Sequence, residues 1–377
     1  TGHVNPTVSV AAALTRRGHE VAWVGHPGMV RRLIGPNARL FALDDAVPDA
    51  LVEEMTAKAH SVRGLSGLKF LWEDFLLPLA RAMVPGVEAA AEAFRPDALL
   101  VDQQALAGGI VARRRRLPWI TSATTSAGLV DPLAGLPRVR DWLIECQSAL
   151  QRAHGLEPLE QPDCSPEGVV VFSTRALVGG DDWPPHIHFV GPAFRARAQP
   201  LDDEWAGRLD GRPLVLVSLG TVNADRGGRF FAAACEALAP LEAQAILVAP
   251  PELVPNPPDN VLVAPWIPQL ALLPHAAAVV CHAGHNTVCE SLAHRVPLVV
   301  APIKDDQPVV AQQVVDAGAG ARVKFGRVSA ARLRAAIEAV LHETSYRDAV
   351  DRIAASFESA GGAEAVADVL IERVGRA

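Results

Sequence analysis

Residues 282–287, His282-Ala-Gly284-His285-Asn286-Thr287, follow a short β-branched run and open an apolar helical segment. A helix start presents free backbone N–H groups at the positive end of its dipole, which favours an anion such as phosphate. Gly284 lets the backbone come close to such a group, and His282, Asn286 and Thr287 add side-chain donors. Glu290 lies four residues after Asn286, on the same helix face one turn deeper, where a carboxylate suits ribose hydroxyls. Just past the run at 261–263, Trp266 offers a stacking face for a base and Gln269 an edge reader. Beyond the run at 298–301, Asp306 and Gln307 supply groups suited to sugar hydroxyls. Each feature alone has a plainer role. A strand–Gly–helix turn is common, Trp266 alone reads as core, His282 as a helix cap and Glu290 as a solvated residue. Together they describe a site for a nucleotide diphosphate.

Such groups must be held at the carboxyl ends of parallel strands, and the chain alternates strands and helices throughout. Residues 7–17 read as a helix started by Pro6 and stopped by Gly18, followed by a strand at 20–25. The pattern at 51–94 is helical, with Pro78 and Pro85 dividing it into two or three helices. A strand at 97–101 ends at Asp102; a helix at 106–116, a strand at 118–122, a helix near 138–153 and strands at 169–174 and 188–190 complete the first array. The charged, aperiodic stretch 193–213 reads as the junction between halves. A second array opens with the apolar strand 214–219, closed by Gly220-Thr221. It continues with a helix at 230–238, a strand at 245–249, the donor-type stretch above, and helices at 333–341, 348–357 and 363–374. The first residues, Thr1-Gly2-His3-Val4-Asn5-Pro6, already form a loop entering a helix, so a strand upstream of the given sequence is expected.

The length of 377 residues favours two domains of ordinary size. Half the residues are apolar and a fifth charged, as in a soluble enzyme, and no apolar run is long enough to cross a membrane. A net charge of −7 argues against nucleic acid as a partner. The five cysteines, Cys146, Cys164, Cys235, Cys281 and Cys289, lack paired spacing and read as reduced cytoplasmic thiols, without a disulfide framework or a zinc site.

The order WxPQ, then HxGxNT with Glu three residues on, then DQ, resembles the signature of the family 1 nucleotide-sugar glycosyltransferases, and the likeness spans the chain from GHVNP to the last helix. The resemblance implies a GT-B fold of class α/β: two Rossmann-like parallel-sheet domains facing across a cleft. The implied division is an acceptor domain over 1–197, a linker over 198–212, a donor domain over 213–355, and a C-terminal helix over 356–377 packing back on the first domain. It also implies residue roles. Trp266, the Ile267 backbone and Gln269 would hold a pyrimidine, and Glu290 the ribose. His282, Gly284, Asn286 and Thr287 would hold the diphosphate, with Thr221 at the end of the first donor-domain strand; Gly220 and His285 count among the nucleotide-binding residues, and Asp306 and Gln307 would bind the sugar. His285 stands where plant members often have Trp and many bacterial members Gly, which leaves uracil and thymine both open.

Transfer of a sugar to a hydroxyl with inversion needs a base on the acceptor and a stabilised leaving diphosphate. His3 precedes a helix whose positive end disfavours imidazolium, an arrangement expected to keep it neutral and able to take a proton. The resemblance pairs it with Asp102 as a His–Asp dyad. A helix start can stabilise the leaving diphosphate, so neither a metal nor a cofactor is expected beyond the nucleotide-sugar co-substrate. The expected acceptor is an apolar secondary-metabolite aglycone, with a lipid or carotenoid as the alternative. A nucleotide-sugar epimerase and a non-catalytic sugar-nucleotide sensor are the rivals from other classes. A cytoplasmic monomer or homodimer without an integral membrane segment is expected. The run Arg113–Arg116 reads as a solvated helix end, while Phe70, Trp72 and Phe75 suit either core or acceptor wall.

Overall fold

The β-branched runs that end at turn-formers become strands of three to six residues. The computed structural model describes residues 2–43, 64–130, 133, 135–159, 161–220 and 227–376. Thr221 and the first part of the expected helical segment, 51–63, lie outside them. In the first half β1 (Ala22–Gly25) pairs in parallel with β2 (Arg39–Ala42). A separate parallel sheet runs in the order β3 (Leu99–Asp102), β4 (Trp119–Ala123), β5 (Val169–Val171) and β6 (Ile187–Phe189). Among the described residues the first half therefore carries two parallel sheets where the alternation had implied one.

The second half forms one parallel sheet from β7 (Leu214–Ser218), β8 (Gln244–Val248), β9 (Val261–Ala264), β10 (Ala276–Cys281), β11 (Leu298–Val300) and β12 (Gly320–Arg322). Their order across the sheet is β12-β11-β10-β7-β8-β9. Both faces of β7 are covered. Leu214 and Leu216 pack with Val288, Leu292, Val314 and Ile353, while Val215 and Val217 pack with Phe231, Leu238, Leu333 and Ile337. That two-sided burial explains why the strand reads as a continuous apolar run without polar alternation. The chain order reverses between β7 and β10, which stay paired to Ser218 and Cys281, so the helices that follow them lie on opposite faces of the sheet and leave a crevice at Gly220 and His282, the position where open α/β sheets bind ligands.

Two expectations change. Pro78 and Pro85 do not divide the helical segment: Gly64–Lys69 runs through a π-helical stretch, Phe70–Leu76, directly into Leu77–Phe94. Pro78 comes two residues after the π-helical stretch and Pro85 is carried inside the last helix, so the helical backbone passes through both prolines. Phe70 and Trp72 are buried, and Trp72 packs with Leu76, Ala80 and Ile110, so these two belong to the core. The stretch 193–213 is charged but tied down at both ends. Ala193 packs with the first half, Trp205 with the second, and Asp202 caps the helix Asp203–Ala206 by accepting from the Trp205 N–H. The final helix, Ala363–Arg376, lays Val366 and Leu370 onto Val10, Ile120 and Phe172 of the first half. Arg17 pairs there with Glu364 and Asp368 at 2.5 and 2.6 Å. Among the described residues, no helix is long and apolar enough to cross a membrane.

Candidate active site

The helix Asn5–Arg16 places His3 just ahead of its first turn, and β3 delivers Asp102 at its carboxyl end. His3 Nδ1 lies 2.8 Å from Asp102 Oδ2, and Thr124 Oγ1, one residue past β4, lies 3.0 Å from the same nitrogen. The backbone N–H of Gln104 donates to Asp102 Oδ1 at 2.9 Å, so a local turn aims the carboxylate. With Nδ1–H given to the carboxylate, Nε2 is left as a proton acceptor on a half-exposed ring. Burial lowers the basicity of His3, but the hydrogen bond and charge of Asp102 outweigh it and hold the imidazole above the ordinary histidine value. This corrects the expectation of a ring kept neutral by the helix dipole. A carboxylate in direct contact acts more strongly on the ring than the partial charge of a helix start.

Across from this pair, β10 ends at Cys281 and the helix His285–Ala293 begins. Its N-cap is Gly284, and no side chain caps the helix start, which leaves the first N–H groups for an outside acceptor. The His282 ring is wedged between two glycines. A Cβ at Gly220 would lie 2.6 Å from it and one at Gly284 2.5 Å, so neither position tolerates a side chain. Between them Ala283 adopts φ 65°, a left-handed conformation that costs a residue with a Cβ about 1 kcal/mol or more. Burial pushes His282 below the ordinary value, leaving it neutral near pH 7. Asp306, ahead of the helix Gln307–Asp316, works in the opposite direction on His282 and also raises His3. The charge of Asp306 is thus felt in both halves.

The residues expected at the nucleoside come from separate strands and the loops after them. Trp266 follows β9 and is 68% exposed, an unusual setting for the largest side chain and a suitable one for stacking. Ile267 beside it is buried. Glu290 is almost fully buried, and both its oxygens are engaged. Gln269 Nε2 donates to Oε2 at 2.8 Å and Arg197 Nη2 to Oε1 at 2.6 Å. Gln307 is buried too, its Oε1 accepting from the N–H groups of Ile303 and Lys304, which shapes the loop that carries Asp306.

Two expected nucleotide-binding residues sit at the seam between halves. Asn286 Nδ2 donates to the Gly2 carbonyl at 3.2 Å, linking the donor helix to the residue before His3. His285 is not in the crevice: its ring is buried, with Nε2 3.3 Å from the Phe172 carbonyl and Cys289 Sγ 3.5 Å away. As the first helical residue it projects towards the other half and away from the loop. Thr221, expected among the nucleotide-binding residues, lies outside the described residues. Thr124 and Arg197 are additions that the sequence did not reveal. Thr124 lies just past the carboxyl end of β4 as Asp102 lies at that of β3, and a search of the strand ends would have found it. Arg197 lies in a charged stretch with no local signal.

A sequence model of the family described as UDP-glucoronosyl and UDP-glucosyl transferase matches residues 181–358. The chain is 32% identical over 389 aligned residues to 4'-demethylrebeccamycin synthase from Lentzea aerocolonigenes, covering 92% of this chain and 90% of that protein. The chain belongs to this glycosyltransferase family. A second relative, demethyllactenocin mycarosyltransferase from Streptomyces fradiae, is 30% identical over 98% of this glycosyltransferase and 83% of its own length. The solved structure of the glycotransferase of kitacinnamycin superposes with a TM-score of 0.79 at 26% identity, covering 99% and 96% of the two chains. The fold of this glycosyltransferase is therefore GT-B, with His3 and Asp102 on one side of the cleft and the crevice at Gly220 and His282 on the other.

Proposed function

We propose that this glycosyltransferase moves a sugar from a UDP- or dTDP-sugar to a hydroxyl of an apolar small-molecule aglycone, with inversion and without a metal. The observation that carries the reading is the 2.8 Å contact of His3 with Asp102, tied to the uncapped donor helix through Asn286 and Gly2. In this reading the acceptor oxygen attacks the anomeric carbon as His3 Nε2 takes its proton. The bond from that carbon to the diphosphate oxygen breaks, and its electron pair leaves with the diphosphate. Asp102 holds the tautomer and stabilises the imidazolium that forms. The start of the helix His285–Ala293, with His282, Gly284, Asn286 and Thr287, meets the charge growing on the leaving group. Trp266, Ile267 and Gln269 hold the base, Glu290 the ribose, and Asp306 with Gln307 the sugar. The two relatives, named as a synthase of 4'-demethylrebeccamycin and a mycarosyltransferase of demethyllactenocin, support an aglycone of that class.

The test is release of free nucleotide diphosphate with and without acceptor. Release only when an acceptor is added is expected, and His3→Ala should lower it by roughly 10²–10⁴, the range for a lost general base. Turnover by His3→Ala at the wild-type rate would sink the mechanism, and acceptor-independent turnover of the donor would favour an epimerase.

A further inference from the structure

Arg197 occupies a place that no role above accounts for. It closes the short 3-10 turn Arg195–Arg197, yet its guanidinium reaches the almost fully buried Glu290 of the donor helix at 2.6 Å. The same turn is fixed to the other side of the cleft, because the Ala196 N–H donates to the buried Ser9 Oγ at 3.4 Å on the helix that follows His3. The Phe194 ring lies 5.4 Å from that of His294, at the far end of the donor helix. Arg197 Nε is buried without a hydrogen-bond partner among the described residues, so the guanidinium holds a spare donor beside the carboxylate. Gln269 takes one Glu290 oxygen and Arg197 the other. A carboxylate has about four lone-pair sites, so room remains on each oxygen for a hydroxyl.

We propose that Arg197 is a nucleoside-positioning residue: it fixes the Glu290 carboxylate to accept from the donor's ribose hydroxyls and ties that carboxylate to the helix behind His3. This rests on the reading of Glu290 as the ribose acceptor. Arg197→Met keeps the length and apolar stem of the side chain but leaves a buried carboxylate without its cation, free to turn away from the ligand. Arg197→Lys keeps the charge.

Calorimetric titration of the whole chain tests this with three probes: uridine or thymidine diphosphate, whichever binds the wild type; its 2′,3′-dideoxy analogue; and inorganic pyrophosphate. Arg197→Met should weaken the nucleoside diphosphate about tenfold or more, the scale of a hydrogen bond to a charged group, and leave the dideoxy analogue and pyrophosphate within about threefold. Arg197→Lys should recover part of the loss, and Arg197→Met should add nothing to Glu290→Gln. An unchanged nucleoside diphosphate affinity would overturn the assignment. So would an equal loss for all three probes, which marks general damage to the domain. If neither nucleotide binds the wild type while pyrophosphate does, the donor reading itself fails and takes this one with it.

Discussion

Replacing Asp102 by Asn removes a charge from the dyad while keeping its shape. Oδ2 lies 2.8 Å from His3 Nδ1, and the turn through Gln104 N should hold the amide in place. A hydrogen bond to a charged group contributes about 1.5–3 kcal/mol. The two side chains are 44% and 22% exposed, so water screens the pair and the lower end applies, about 1.5–2 kcal/mol. The base works only when unprotonated, and Asp102 raises its affinity for protons. Wild-type kcat/KM should therefore fall as pH drops through a value above about 6.5. In Asp102→Asn that acid limb should move to lower pH, while the alkaline plateau falls by about 10- to 30-fold as imidazolium stabilisation in the transition state is lost. If the amide turns its NH2 towards Nδ1, the ring takes the other tautomer and the loss extends towards 10⁴-fold. The assay is nucleotide diphosphate release across pH 5–9, with donor affinity measured alongside. A lower plateau with the limb unmoved, or moved to higher pH, would refute the claim that Asp102 acts on His3 by its charge.

Trp266→Ala should lose about 1–3 kcal/mol of donor affinity, the scale of one base–aromatic stack, with the melting temperature unchanged because the side chain is 68% exposed; titration with uridine and thymidine diphosphates measures it. Gly284→Ala drives a methyl to within 2.5 Å of the His282 ring and should abolish donor binding while circular dichroism stays that of the wild type. Prolonged dialysis against EDTA should leave the transfer rate unchanged if the helix start and His282 alone meet the leaving group; a loss restored by added Mg²⁺ would contradict that.

Elements with strong periodicity were legible in the chain. The helix read at 7–17 is Asn5–Arg16, the strand read at 214–219 is Leu214–Ser218, and the helix read at 363–374 is Ala363–Arg376. β2 (Arg-Leu-Phe-Ala) and β12 (Gly-Ala-Arg) were not, because neither carries the β-branched residues that marked the other short strands, and neighbouring strands hold them in place. The reading of Phe70 and Trp72 stayed open because an apolar helix face looks alike whether a ligand or another helix covers it. Pro85 misled because proline's effect on a helix depends on whether the surrounding packing holds the backbone.

What the sequence determined by itself was chemistry held within a few consecutive residues. The His282–Thr287 turn is one local strand-to-helix unit, and the roles proposed for Gly284, Glu290 and Trp266 follow from their positions in it or beside a neighbouring strand. The relations across the cleft belong to the tertiary structure. Asp102 governs His3 from 99 residues away, so the direction of the His3 shift followed from a contact that spacing could not supply. His285 left the crevice for the Phe172 carbonyl. Arg197 reached Glu290 from a stretch without a motif. Each depends on which surfaces the two halves bring together, and a charge or hydrogen bond acts over a few ångströms of space irrespective of separation along the chain.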